Sequence, residues 1–139
     1  MKGKTKILIV EEDTPAAMMM VNLLTQAGCD VMVANTGGKG MELAQENKFD
    51  VIVLAVDLPD ASGFEICGEL KQRHLSRRTP IILIADGACN EGRQRAPELG
   101  VVDYIVKPFD AREFAARILS HVTQRALTAY TNNATPIES

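Results

Sequence analysis

The sequence predicts an α/β domain in which a parallel β-sheet lies between two layers of helices. Five short aliphatic runs recur along the 139 residues without polar alternation, which is typical of strands that are covered on both faces. A stretch with helical character follows each run, and this alternation indicates successive right-handed βαβ units. A chain of this length forms one domain with its own hydrophobic core.

The first strand and helix are the clearest example of this unit. The strand is predicted at residues 6–10 (KILIV), and the helix follows with Thr14 as its cap and Pro15 in the first helical position. Gly28 is suited to end this helix. We interpret the run Met18–Met20 as helix packing rather than an interaction patch, because only part of it can face one side of a helix.

The same unit is predicted four more times. The strands and helices are expected, in chain order, at residues 30–34 (DVMVA), 39–47, 50–55 (DVIVLA), 63–74, 80–85 (PIILIA), 88–99, 102–106 (VDYIV) and 110–127. The glycines at 37, 38 and 40 lack the spacing of a nucleotide-binding loop and predict a flexible turn. Gly92 and Pro97 fall within the fourth helix, and we expect Pro97 to leave it short, kinked or displaced.

Composition and charge exclude several functional classes. Fifteen basic and eighteen acidic residues give a net charge of −3, and aromatic residues make up only 4%, so direct nucleic-acid binding is not expected. The early apolar run, residues 7–10, is too short for a signal peptide or a membrane span. Cys29, Cys67 and Cys89 lie far apart without CxxC spacing, which predicts reduced, buried thiols in a cytoplasmic protein.

Acidic residues and one lysine follow the predicted strands. Glu11 and Glu12 follow the first strand, Asp57 the third, Asp86 the fourth and Lys107 the fifth. Open α/β sheets bind ligands at the edge where these strand ends meet. Carboxylates at this edge suit a hard cation such as Mg²⁺, and a lysine suits a phosphoryl oxygen.

Four segments at these strand ends resemble the receiver domain of two-component response regulators: ILIVEED, DVIVLAVDLPDASGFEIC, TPIILIADG and LGVVDYIVKPFDAREFAARI. The resemblance covers about residues 5–122. It implies a flavodoxin-like, doubly wound sheet of strand order 2-1-3-4-5. It also implies phosphorelay signalling, in which a sensor kinase phosphorylates an aspartate at the end of strand three. The face made of helix four, strand five and helix five reads out the change.

At the family's active positions the sequence departs from this pattern. The loop proline and glycine of the family match Pro59 and Gly63, and this register puts Ala55 at the phosphoacceptor position. The Ser or Thr that hydrogen-bonds the phosphoryl group in the family falls at Ala85. A methyl group neither accepts a phosphoryl group nor ligates a metal. Glu12 stands at the position of the metal-binding aspartate, and its extra methylene would displace an octahedral Mg²⁺ site.

Two further family positions are retained, the lysine as Lys107 and the switch aromatic as Tyr104. A half-buried lysine without a carboxylate is unfavourable, so we expect Lys107 to pair with Glu12 or Asp57. Two interpretations of Asp86 stay open. Its side chain either turns towards Lys107 and replaces the missing aspartate charge, or remains a solvated loop acid.

We therefore interpret residues 5–127 as a degenerate receiver, a pseudo-receiver that acts by protein interaction independently of phosphorylation. Residues 128–139 are expected to form a disordered polar tail. We expect no catalytic residue, metal ligand or cofactor, although the family implies Mg²⁺. The expected partner is a sensor kinase or an output domain, with no nucleic acid or membrane contacted directly, and the chain is expected to be a monomer or weak homodimer.

Other functions are weighed against this interpretation. The main alternative is an ordinary phosphoacceptor receiver whose aspartate was replaced by Ala55 through engineering. Phosphorylation at Asp57 is disfavoured because that residue belongs to the loop beyond the sheet. A flavodoxin-like enzyme is disfavoured because no nucleophile–base pair is present. A basic stretch either docks an acidic partner or is simply solvated; it contains Lys71, Arg73, His74, Arg77 and Arg78.

Overall fold

Strands and helices alternate along the whole of the computed structural model, which describes residues 4–87 and 90–133. In chain order the elements are β1 (Lys6–Val10), α1 (Thr14–Gln26), β2 (Asp30–Ala34), α2 (Gly37–Glu46), β3 (Val51–Ala55), α3 (Gly63–Leu70), β4 (Ile81–Asp86), α4 (Asn90–Leu99), β5 (Asp103–Lys107) and α5 (Ala111–Asn133). The five strands are parallel and lie in the order β2-β1-β3-β4-β5. The predicted doubly wound, flavodoxin-like fold is confirmed.

Aliphatic side chains of the strands form a separate core on each face of the sheet. Successive side chains of a strand point to opposite faces. Leu8 and Ile52 accordingly pack in the core beneath α2, α3 and α4, whereas Ile7 and Val53 pack in the core beneath α1 and α5. Both faces of the central strands are therefore buried, which explains why their sequences lack polar alternation.

The start of α1 differs from the prediction by one residue. Asp13 caps the helix, and its carboxylate accepts a hydrogen bond from the Ala16 N–H at 3.2 Å. Thr14, which was predicted as the cap, is the first helical residue instead. Aspartate is at least as good a cap as threonine, so the sequence offered two adjacent candidates.

Gly37, Gly38 and Gly40 lie in the first turns of α2, so the prediction of a flexible turn at these glycines was wrong. The Asp60 carboxylate, which lies between β3 and α3, accepts hydrogen bonds from the Gly38 N–H at 2.9 Å and the Gly37 N–H at 2.7 Å. These two bonds hold the pKa of Asp60 below its ordinary value. A Cβ at Gly40 would lie 2.8 Å from the Val10 side chain. Glycine is thus needed here for α2 to approach β1.

Two other helices differ from their predicted bounds. α3 ends at Leu70, earlier than predicted, because the Ser76 hydroxyl donates to the Leu70 carbonyl at 2.7 Å and the chain turns away from the helix axis. α5 continues past the predicted end at Leu127 to Asn133 and so includes residues 128–133 of the predicted tail. Residues 134–139 of the predicted tail lie outside the described residues.

α4 runs through Pro97 and ends two residues later. With ten residues it is as long as α2, so the proline does not break the helix. Gly100, with φ of 75°, leaves the helix in the left-handed conformation that glycine adopts readily.

Of the predicted buried cysteines, Cys29 and Cys67 are free thiols in the core, and burial raises the pKa of both. Cys89 lies outside the described residues. None of the helices in residues 4–87 and 90–133 is long and apolar enough to cross a membrane.

Gly63 begins α3 directly against the end of β3. Its N–H donates to the Val56 carbonyl at 2.7 Å, and a Cβ here would lie 2.8 Å from the Val56 Cα and closer still to the Ala55 carbonyl oxygen. Because these are backbone atoms, a rotamer change cannot relieve the clash. We expect Gly63→Ala to lower the free energy of unfolding by about 3 kcal/mol in urea denaturation.

Gly68→Ala is the matched control, since Gly68 lies in the same helix and a Cβ there would meet nothing within 4 Å. Alanine should raise the free energy of unfolding by roughly 0.5–1 kcal/mol at this position. Equal effects of the two substitutions would contradict the packing argument.

Candidate functional site

The carboxyl ends of the strands bring the predicted site residues to one edge of the sheet. Ala55 is the last residue of β3, and Ala85 lies near the end of β4. Asp86 and Lys107 are register partners at the ends of β4 and β5, and Glu11 follows β1. These five residues therefore lie at one edge of the sheet.

An ion pair between Lys107 and Glu11 lies at the centre of this edge. The Lys107 Nζ is 2.9 Å from the Glu11 Oε1, and the Glu11 Oε2 accepts the Asp13 N–H at 3.0 Å. Glu11 is only 4% exposed. Partial burial lowers the pKa of Lys107, but contact with Glu11 and the nearby carboxylates Asp86 and Asp13 raise it by more, so the net shift is upward.

The predicted partners of Lys107, Glu12 and Asp57, were wrong. Both are exposed, whereas Glu11 is the buried carboxylate that points into the edge. Adjacent glutamates look alike in a sequence, and only the direction of the chain after β1 distinguishes them. Asp57 instead contributes its backbone to an isolated bridge with Ser62.

Asp86 combines the two interpretations that the sequence left open. Its Oδ1 is 3.7 Å from the Lys107 Nζ, which is within ion-pair distance, but its side chain is 68% exposed. Exposed pairs of this kind contribute little to stability, so Glu11 is the main partner of the lysine.

Two buried methyl groups line the same edge. Ala55 and Ala85 are each 4% exposed and present no polar side-chain atom. Mg²⁺ requires an octahedral set of oxygen ligands. Within the described residues no group of three His, Cys, Asp or Glu side chains is arranged to hold a metal ion. The residues present therefore do not fit the ion that the family resemblance implies.

Tyr104 is buried beneath α4, which closes over it at a glycine. A Cβ at Gly92 would overlap the Tyr104 hydroxyl and lie 3.1 Å from the Phe64 ring. On either side, the Arg93 guanidinium lies 5.4 Å from the Tyr104 ring centroid and that of Arg95 lies 4.4 Å from the Phe64 centroid. Because Gly92 has no side chain, α4 can pack this closely against Tyr104 and Phe64.

A cluster on β5 and α5 was not anticipated from the sequence. The Arg117 guanidinium binds the Asp103 carboxylate through Nε at 3.0 Å and through a second, shorter contact from Nη2. The His121 Nε2 lies 3.0 Å from the same carboxylate, which also accepts the Tyr104 N–H at 2.8 Å. Burial raises the pKa of Asp103, but the bonds from Arg117, His121 and Tyr104 outweigh it and lower the pKa to about 2.

The fold is that of a receiver domain, and comparison with known proteins agrees. The family profile of the response regulator receiver domain matches residues 7–119. The chain belongs to this family, as the resemblance predicted.

Individual relatives support the same assignment. The response regulator ArlR of Staphylococcus saprophyticus is 39% identical over 114 residues, which cover 82% of this chain and 50% of ArlR. The transcriptional regulatory protein CusR of Escherichia coli K12 is 37% identical over 113 residues, which cover 81% of this chain and 49% of CusR. The chain thus spans about half the length of these relatives.

A solved structure shares the fold. The crystal structure of a CheY-like receiver domain protein from Methanospirillum hungatei JF-1 has a TM-score of 0.84 to this chain at 24% sequence identity. The match covers 91% of this chain and 99% of the other.

The two partners of the central ion pair should differ in importance. Removing Lys107 leaves the buried Glu11 carboxylate without its cation, whereas removing Glu11 leaves a lysine side chain that is 21% exposed and near Asp86. We expect Lys107→Met to lower the free energy of unfolding at pH 7 by about 3 kcal/mol and Glu11→Gln by about 1 kcal/mol. Urea denaturation measures both, and the reverse order would refute this account of the pair.

The Asp103 cluster should make stability depend on pH in acid. The folded-state pKa of Asp103, about 2, is below its ordinary value of 3.8, so its contribution is present above pH 4 and is lost as pH falls towards 2. We expect the stability difference between the parent protein and Asp103→Asn to be about 1–2 kcal/mol at pH 5 and to shrink steadily towards pH 2.

Chemical denaturation at a series of pH values measures this difference. Arg117→Gln removes the cation while keeping the carboxylate. Like Asp103→Asn, it should reduce the loss of unfolding free energy between pH 5 and pH 2. A difference between parent and Asp103→Asn that is constant from pH 5 to pH 2 would contradict the assigned shift.

Proposed function

We propose that this receiver domain acts through protein–protein interaction without phosphorylation of an aspartate. The observation that carries the proposal is the methyl group of Ala55, buried at the position where the family holds its phosphoacceptor. Ala85 supports it, since the position of the family's phosphoryl-binding hydroxyl also carries only a methyl group.

The charge balance at the edge supports the same proposal. The Lys107 ammonium group lies 2.9 Å from the Glu11 carboxylate and 3.7 Å from that of Asp86. Its charge is therefore compensated by the chain itself, and no phosphoryl group is needed to balance it. Tyr104 supports it as well, because the family's switch aromatic is already buried under α4.

The proposed partner is a protein, either a sensor kinase or an output domain, in cytoplasmic two-component signalling. Among the relatives, ArlR is named a response regulator and CusR a transcriptional regulatory protein, and the chain corresponds to about half of each. The face formed by α4, β5 and α5 is the proposed contact, and we propose that the chain itself is a monomer or weak homodimer.

One alternative is favoured by the retained residues. Lys107, Tyr104 and the buried acid Glu11 would be compatible with an ordinary phosphoacceptor receiver in which engineering replaced an aspartate by Ala55. In that case the exposed Glu12 would still have to serve at the metal-binding position, where its length is unsuited to Mg²⁺.

Phosphorylation itself provides the first test. We expect no stable adduct when the protein is incubated with acetyl phosphate and Mg²⁺, because the acceptor position carries a methyl group. Intact-mass spectrometry measures the outcome. A stable mass gain of one phosphoryl group, mapped by peptide analysis to Asp57 or another carboxylate, would overturn the proposal.

Binding of beryllofluoride to Ala55→Asp separates the proposal from its alternative. A degenerate pocket should not bind beryllofluoride with Mg²⁺ after this single change, whereas an engineered receiver should regain binding. Amide chemical shifts report both binding and retention of the fold. Ala55→Asn serves as the neutral control of matched size, and binding by Ala55→Asp alone would favour the alternative.

A further inference from the structure

A basic loop lies at the opposite end of the sheet from the acidic edge. The basic loop comprises residues 71–78 (KQRHLSRR), which connect α3 to the amino end of β4. It holds four permanent cations in eight residues and contains no carboxylate. The candidate site lies at the carboxyl ends of the strands, so this surface is separate from it.

The cations of the basic loop form no ion pair in the part of the chain that the structure describes. Among the described residues no carboxylate lies within ion-pair distance of Lys71, Arg73, Arg77 or Arg78. Arg73, Arg77 and Arg78 are exposed. In contrast, Lys107 and Arg117 are both paired with carboxylates. Free cations clustered in a chain of net charge −3 form a local site for a negatively charged partner.

The backbone that carries these cations is held in place by two buried polar residues and by hydrogen bonds to the loop backbone. Ser76 is 2% exposed and Thr79 is fully buried. The Lys48 ammonium group donates to the Leu75 carbonyl at 2.9 Å, and the Arg77 N–H donates to the Arg73 carbonyl at 2.9 Å. Because the loop is already ordered, binding through it would lose little backbone entropy.

The chemistry of the surroundings favours protein over nucleic acid. The basic loop contains no aromatic residue on which a base could stack. Since its four cations belong to a chain of net charge −3, the remaining residues carry seven more negative than positive charges and would repel a long polyanion. A short acidic segment needs to cover only the basic loop itself.

We propose that the basic loop docks an acidic segment, rich in Asp and Glu, of a partner protein. The arginine side chains pair with carboxylates of that segment, and their planar guanidinium groups suit bidentate contacts. The proposal is independent of phosphorylation at the opposite edge.

Fluorescence anisotropy with a labelled Asp/Glu-rich peptide tests the proposal on the full chain. We expect binding that weakens with added salt and that falls roughly fivefold or more in Arg77→Gln/Arg78→Gln. Lys39→Gln/Arg112→Gln removes the same charge from exposed positions elsewhere and should leave the affinity nearly unchanged. A peptide of the same length with Gln and Asn in place of the acids should not bind.

Any of three results would overturn the proposal. They are an equal loss of affinity in both double variants, no binding of the acidic peptide, and tighter binding of a DNA oligonucleotide with the same number of negative charges. Self-association of the parent protein in light scattering that disappears in Arg77→Gln/Arg78→Gln would identify a second copy of the chain as the occupant instead. Circular dichroism of each variant verifies that the fold is retained.

Discussion

Burial of the parallel sheet on both faces is the constraint on which the rest of this structure depends. β1, β3 and β4 have almost no exposed side chains, so a polar group can be placed only where a strand ends. The parallel arrangement then collects the ends of β1, β3, β4 and β5 at one edge. Glu11 and Lys107 meet at this edge although their strands, β1 and β5, are not neighbours in the sheet.

The charged groups at the centre of that edge are paired with each other. The Glu11 carboxylate forms an ion pair with the Lys107 ammonium group and accepts a hydrogen bond from the Asp13 N–H. One carboxylate thus joins the end of β5 to the start of α1. The methyl groups of Ala55 and Ala85 complete an apolar floor. The charge of Lys107 is therefore balanced by carboxylates of the domain itself.

Sequence reasoning predicted the fold, the family and the residues at the strand ends, because these follow from local hydrophobic runs and motif spacing. It failed where tertiary contacts decide. Glu11 and Glu12 are neighbours of the same type, and only burial selects Glu11 as the partner of Lys107. The Asp103 cluster joins β5 to two turns of α5, and no local pattern indicates it. The packing of Gly92 against Tyr104 depends on two separate elements, so no local pattern indicates it either.

The two hydrogen bonds from α2 to Asp60 have a mechanical consequence. They tie the segment between β3 and α3 to the first turn of α2, the helix that packs over β1 at Gly40. A displacement of this segment therefore requires one of two changes. Either the Asp60 carboxylate loses its hydrogen bonds to the Gly37 and Gly38 N–H groups, or the first turn of α2 moves together with the segment.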